Sequence, residues 1–173
     1  MNNTVLIRNI LRFAFLLLLQ VLVLDHIHIA NEVTPYIYIL AILLIPFGTP
    51  KWLLLIVAFV LGFLMDVFLG TMGLHMAATV LTAFVRPMLL SMVSLGRDFD
   101  RADSPSIKEL GWDWFIWYAI ILIVIHHAAI FMLEIFRFDE FGTTLLRILY
   151  SSFATFVLVM LSQFLFFSRK NGD

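Results

Sequence analysis

The sequence predicts an all-α, polytopic membrane protein with six transmembrane helices and with the N-terminus and C-terminus both cytoplasmic. Three observations predict it. The 173-residue chain is 62% hydrophobic with a mean hydropathy of +1.03. Only 13% of its residues are charged, against roughly 25% in an ordinary soluble domain. Its apolar residues gather in runs that approach the about 20 residues a helix needs to cross a bilayer. The same figures exclude disorder, which requires low hydrophobicity and high charge. At that length per pass the chain holds at most about six or seven spans, so residues 1–173 form a single integral membrane domain. The lack of Cys excludes disulfides, thiol catalysis and Cys-ligated zinc. A net charge of −1 offers no basic surface for nucleic acid. Lipid, protein or a small ligand remain as partners.

The first span runs from Val5 to Leu24, interrupted by Arg8, Asn9, Arg12 and Gln20, and both arginines lie near enough its start to snorkel to the interface. The stretch after it, Asp25 to Glu32, lacks a persuasive small-x-small cleavage site, so the segment reads as a retained span rather than a signal peptide. The second segment, Val33 to Phe47, is bracketed by Pro35 and Pro46. It reaches only about 22 Å as a helix, which is short for a span. The third span is Trp52 to Leu69. Gly70-Thr71-Met72-Gly73 then turns tightly into the fourth, Leu74 to Leu95, so the two form a helical hairpin. A polar loop, Gly96 to Glu109, leads to the fifth span, Trp112 to Glu134. Leu145 to Phe167 makes the sixth.

Charge decides whether the short second segment crosses, because Lys and Arg near span ends accumulate in the cytoplasm. With six crossings, Arg8, Arg12, Lys51, Arg97, Arg101, Lys108, Arg169 and Lys170 face inward and only Arg137 and Arg147 lie toward the outside. A re-entrant second segment would reverse that bias. Asp25 to Thr34 and Phe136 to Thr143 are then outer loops, and Trp112, Trp114 and Trp117 form an aromatic belt at the inner interface.

Ionisable residues at membrane depth are expensive and each requires an explanation. Asp66 lies in the outer third of the bilayer, and His75, just past the turn, lies at nearly the same depth. A hydrogen bond between them across the hairpin is expected, as a polar clasp or, alternatively, as a proton or ligand site. A charged Asp66 costs up to roughly 2.5 to 3.5 kcal/mol on insertion scales, more than the roughly 0.6 kcal/mol of an average membrane hydrogen bond. Either it is protonated or further donors surround it. Gly62, Asp66 and Gly70 recur every four residues on one helix face, where the glycines admit a neighbouring helix on either side of the carboxylate. Arg86 lies nearer the cytoplasm, beside Pro87. It either snorkels to the inner headgroups or grips a partner or a lipid phosphate. His126 and His127 are adjacent, point about 100° apart and therefore cannot share a metal as an i, i+4 pair could. One of them can join Asp66 and His75 in an outer polar layer. No metal or other cofactor is expected.

The familiar membrane-enzyme patterns fail here. No G-x-S-x-G and no H-E-x-x-H occurs, and no glycine loop is present to cradle phosphate. Arg86-Pro87 matches the arginine-proline of lipid phosphatases, but Thr79 stands where their lysine belongs and no Pro-Ser-Gly-His follows. The chain reads as a non-enzyme.

The run Gly62-Phe-Leu-Met-Asp66-Val-Phe-Leu-Gly70-Thr-Met-Gly73-Leu74-His75 resembles the central motif of the bacterial rod shape-determining protein MreD family: a glycine, an aspartate four residues on, a further glycine, then Gly-Leu-His opening the next helix. Length, about six spans and the basic loop after the fourth are also similar. The resemblance implies a non-catalytic component of the bacterial inner membrane and of the cell elongation machinery, one that binds the bitopic protein MreC. Through it the chain would act with actin-like MreB filaments, RodA and a penicillin-binding transpeptidase to direct sidewall peptidoglycan synthesis. The family is also similar in fold to the substrate-binding subunits of vitamin transporters, which gives the alternative of small-molecule capture. That role would need a deep outward-facing pocket around Asp66, His75 and His126 or His127.

Overall fold

The computed structural model describes residues 3–26, 33–93, 100, 103–135 and 141–168. Arg97, Arg101, Arg137, Asp139, Glu140, Arg169, Lys170 and most of both outer loops lie outside them. Seven α-helices and two 3-10 turns make up the regular structure of the described residues, with no strand among them. The long helices are α1 (Asn3–Leu22), α3 (Lys51–Leu69), α4 (Leu74–Val93), α6 (Trp112–Glu134) and α7 (Phe141–Ser168). Two short ones are α2 (Leu40–Leu43) and α5 (Ile107–Leu110). Four helices, Lys51–Leu69, Leu74–Met92, Trp112–Glu134 and Phe141–Leu165, are long and apolar enough to cross a membrane. They mark the chain as a membrane protein.

Three expectations change. The last helix begins at Phe141 rather than Leu145, so residues 141–143 are helical instead of loop. The polar stretch before the fifth span contains the short α5, which tucks Ile107 and Leu110 inward. The second segment is not a continuous helix. Val33 to Tyr36 carry no regular structure, Ile37–Ile39 is a 3-10 turn, and α2 adds a single helical turn. Pro35 and Pro46 bracket it, and a proline can neither donate a backbone hydrogen bond nor let the residue before it settle readily into a helix.

This broken segment is nonetheless the core of the molecule. Every residue from Tyr36 to Ile45 is buried, whereas α1, α3, α4, α6 and α7 each turn an apolar face outward, with Phe15, Phe63, Phe84, Trp117 and Phe153 exposed. Hydrogen bonds fix how the passes run. Near its start the segment meets Gln20 of α1, His75 of α4 and His126 of α6; near its end it meets Arg12, Arg86 and Tyr118 of the same three helices. It is therefore antiparallel to α1 and α6 and parallel to α4. Contacts of residue 58 with 79 and of 66 with 76 make α3 and α4 antiparallel. Contacts of 127 with 155 and of 134 with 147 do the same for α6 and α7.

Between helices in lipid, close packing replaces the hydrophobic drive, and small residues permit it. Ala58 and Gly62 on α3 meet Thr79 and the Met76 backbone on α4, and Ala78, Thr82 and Ala83 of α4 are buried as well. These two helices make the most extensive interface, followed by α4 with α6.

Candidate functional site

Two buried polar layers lie along the broken segment, and the motif Gly62 to His75 supplies part of the first. Gly70 ends α3 in the left-handed region (φ 69°), where its N–H and that of Thr71 both bond the Asp66 carbonyl. This is a glycine helix stop. Gly73 repeats the positive φ at 83° and begins α4, its carbonyl accepting from Ala77 N–H. The buried Asp66 side chain reaches across the turn. Its Oδ1 accepts from the Thr71 hydroxyl and from the His75 backbone N–H at 3.0 Å, and its Oδ2 accepts from the Met76 N–H at 2.9 Å. A helix leaves its first N–H groups unsatisfied and carries a partial positive charge there. Asp66 answers both as a cap supplied by the preceding helix.

The expected Asp66–His75 contact therefore forms through the backbone of His75, not its imidazole. The reason is depth: His75 is the second residue of α4, where the N–H points back at α3 while the side chain points into the bundle. The two glycines flanking Asp66 also serve different ends. A Cβ at Gly62 would lie 2.3 Å from Thr79 Oγ1 and 2.4 Å from the Met76 Cα, whereas one at Gly70 would meet nothing within 4 Å. Gly62 admits the neighbouring backbone; Gly70 supplies a dihedral. The Thr79 hydroxyl, within 2.9 Å of the Ala58 carbonyl, adds a polar tie at the closest approach.

The His75 imidazole belongs to an aromatic layer. Tyr38 Oη lies 2.8 Å from His75 Nδ1 and 2.8 Å from His126 Nε2. A phenol has one proton, so it donates to one ring and accepts from the other. His126 Nδ1 is buried with no partner among the described residues. An orphaned acceptor costs less than an orphaned N–H, which places the His126 proton on Nε2. Tyr38 then donates to His75. His127 is fixed independently: its Nδ1–H donates to the Ile123 carbonyl (2.9 Å), so Nε2 accepts from Thr155 Oγ1 (3.1 Å), which in turn accepts from the Tyr36 N–H. The Tyr36 ring packs on His75 at 5.0 Å, His127 at 5.3 Å and His126 at 6.0 Å. Both His126 and His127 thus join the layer of His75, and neither bonds Asp66.

The second layer surrounds Arg86, which is 2% exposed. Its Nε donates to Tyr118 Oη at 2.9 Å and its terminal nitrogen to the Ile45 carbonyl, while Tyr118 donates to the Leu43 carbonyl at 2.8 Å. Arg12 donates to the Leu44 carbonyl at 3.0 Å. Three successive carbonyls at the end of α2, those of Leu43, Leu44 and Ile45, are thereby satisfied by cationic and phenolic donors, the charge sign that suits a helix C-terminus. At the other end, Gln20 accepts from the Ile37 N–H and donates to the Pro35 carbonyl, and Ser151 accepts from the Thr34 N–H. Irregular backbone at membrane depth survives only where protein groups replace the missing water, and here six surrounding side chains, Thr155 at the Tyr36 N–H among them, do so. Arg86 is thus buried and bonded within the chain, and Arg12 gives one donor to the same segment.

Among the described residues no three His, Asp or Glu side chains converge on a metal position. Comparison of the chain with family models, with curated proteins and with solved structures found no match. Sequence reasoning missed Tyr36, Tyr38, Gln20, Tyr118, Thr71 and Thr155. Gln20 carried a readable signal as the one polar residue in the run Phe13 to Leu24. So did Tyr36-Ile37-Tyr38, two phenols in a proline-bracketed segment too short to span as a helix.

Proposed function

We propose that this chain is a non-catalytic, multi-pass component of the bacterial inner membrane that works by binding another membrane protein, as the resemblance to the MreD family implies. The observation that carries the reading is the use made of the motif. Gly62 sets a helix approach, Gly70 and Gly73 shape the turn, Asp66 caps α4, and His75 is bonded to Tyr38. The glycines and Asp66 are spent on the hairpin and the His75 ring on tying it to the broken segment, which favours an assembled surface over a reactive centre. The capture alternative needs an open pocket at the His75 layer, and there the rings pack against one another at 5.0 to 6.0 Å. Two grooves among the described residues run along α1, and neither is lined by Asp66, His75, His126 or His127.

The expected partner is the bitopic MreC, with MreB, RodA and a penicillin-binding transpeptidase joined indirectly. Affinity purification of the tagged chain from solubilised native membranes should bring MreC with it, and depletion should abolish rod shape. A tightly bound vitamin in the purified protein, without MreC, would transfer the reading to capture.

In the topology proposed with this function, all six passes cross and both termini are cytoplasmic. Alternating passes, the outward apolar face of α1 and the inward excess of Lys and Arg support it. A chain without Cys suits accessibility labelling. Ala102→Cys should resist a membrane-impermeant maleimide in intact cells and react after permeabilisation; labelling from outside would overturn the topology.

A further inference from the structure

The chain has a lateral groove of about 550 Å³ between α1, the broken segment, α5 and α7. Arg8, Leu11, Arg12, Phe15, Leu16 and Leu19 line one wall, at the three- and four-residue spacing of a single helix face. From Arg8 to Leu19 that face measures about 16 Å, at 1.5 Å per residue. One leaflet of a hydrocarbon core about 30 Å thick has the same depth. Polarity is sorted along this length. The Arg8 end gathers Arg12, Lys108, Ser104 and Ser106 together with the carboxylates Asp103 and Glu109, three cations against two anions, whereas the Leu19 end is apolar. Gln163 belongs to the polar end: Thr155 sits beside Tyr36, and Gln163, two turns further along α7, comes level with Leu44 about 12 Å away.

The polar end is short of partners. The Gln163 side chain is 6% exposed, and the Ser104 hydroxyl on the same lining is buried with no hydrogen-bond partner among the described residues. Arg8 is exposed and takes part in neither ion pair of the described residues, and Glu109 is held by Lys108 at 3.4 Å. We propose that the groove binds one anionic phospholipid, its phosphate at Arg8, Arg12 and Gln163 and one acyl chain along Leu11, Phe15 and Leu19. A phosphate offers several acceptor oxygens to donors of this kind, and the apolar inner half excludes a small soluble anion as the sole occupant. The inference is independent of the partner-binding reading.

The test uses the full chain in detergent, offered an equimolar mixture of phosphatidylglycerol and phosphatidylcholine and examined by native mass spectrometry. One phosphatidylglycerol should be retained, several-fold in preference to phosphatidylcholine. Arg8→Gln should lower that retention several-fold, and Leu11→Trp, which fills the groove from an exposed position, should abolish it. Lys51→Gln, a basic residue off the groove, should leave it unchanged. Equal retention of both lipids, an equal loss with Lys51→Gln, or retention that survives Leu11→Trp would overturn the proposal. So would displacement of the lipid by excess inorganic phosphate, which would reduce the site to an anion site, or a dimer dissolved by Leu11→Trp, which would assign the groove to a second copy.

Discussion

Gly62→Ala is expected to prise α3 from α4 and to cost about 3 kcal/mol or more of fold stability, the upper end for overpacking. The added Cβ would fall 2.4 Å from the Met76 Cα and 2.7 Å from the His75 carbonyl oxygen. Both are backbone atoms at the start of α4, so no rotamer change relieves the clash and the helices must move. Moving them draws the His75 and Met76 N–H groups away from Asp66 and lengthens the bond between Thr79 and Ala58. Gly70 is the control. A Cβ there meets open space, so Gly70→Ala carries only the cost of its left-handed backbone, roughly 1 to 2 kcal/mol, and Gly70→Asn should cost less because Asn tolerates that region. Denaturation of the purified variants in detergent should rank Gly62→Ala far below Gly70→Asn. Equal stabilities would refute the role of Gly62 in setting the approach of α3 to α4.

How much of this was legible in the sequence follows from what each residue depends on. The boundaries of α3, α4 and α6 came through within about two residues because their apolar runs are continuous and end at Lys51, at the Gly70–Gly73 turn, at Gly111 and at Glu134. The Asp66–His75 proximity was legible for a similar reason: a four-residue turn leaves two antiparallel helices little freedom in depth. The atom that makes the contact was not, since choosing between an imidazole and a backbone N–H requires knowing which way the first turn of α4 faces. Arg86 shows the larger gap. A basic residue in an apolar helix points toward headgroups or a partner when helices are imagined one at a time. Its acceptor, the Ile45 carbonyl, becomes available only because the second segment stops being helical at Leu43. Proline bracketing hinted at that stop, but the hint could not say that Arg12, Tyr118 and Arg86 would converge on three consecutive carbonyls. Backbone groups have no signature in a sequence, so side chains that serve them look unpartnered there.

Asp66→Leu should be nearly as damaging as Gly62→Ala, and its comparison with Asp66→Asn distinguishes a structural cap from a chemical group. Leucine removes the acceptors for the Thr71 hydroxyl and for the His75 and Met76 N–H groups. A lost N-cap in water costs about 1 kcal/mol. Here the His75 N–H is buried and the Met76 N–H part-buried, so water replaces the acceptor only in part, and an unsatisfied buried backbone donor adds about 1 to 3 kcal/mol. A total of about 3 kcal/mol is therefore expected. Asparagine presents its carbonyl oxygen in the Oδ1 position and keeps the bonds to Thr71 and His75. Its amide then faces the Met76 N–H, donor against donor, and the favourable charge at the N-terminus of α4 is gone. Those two losses amount to about 1 to 2 kcal/mol, which should leave the protein folded and, on the proposed function, able to bind MreC. Stability in detergent should fall in the order wild type, Asp66→Asn, Asp66→Leu, and partner co-purification should follow that order. A different pattern, in which Asp66→Asn folds and binds like wild type but cells lose their rod shape, would refute the cap reading. It would require that the carboxylate ionise in use, and the function would then have to be rebuilt around a proton or a ligand at that turn.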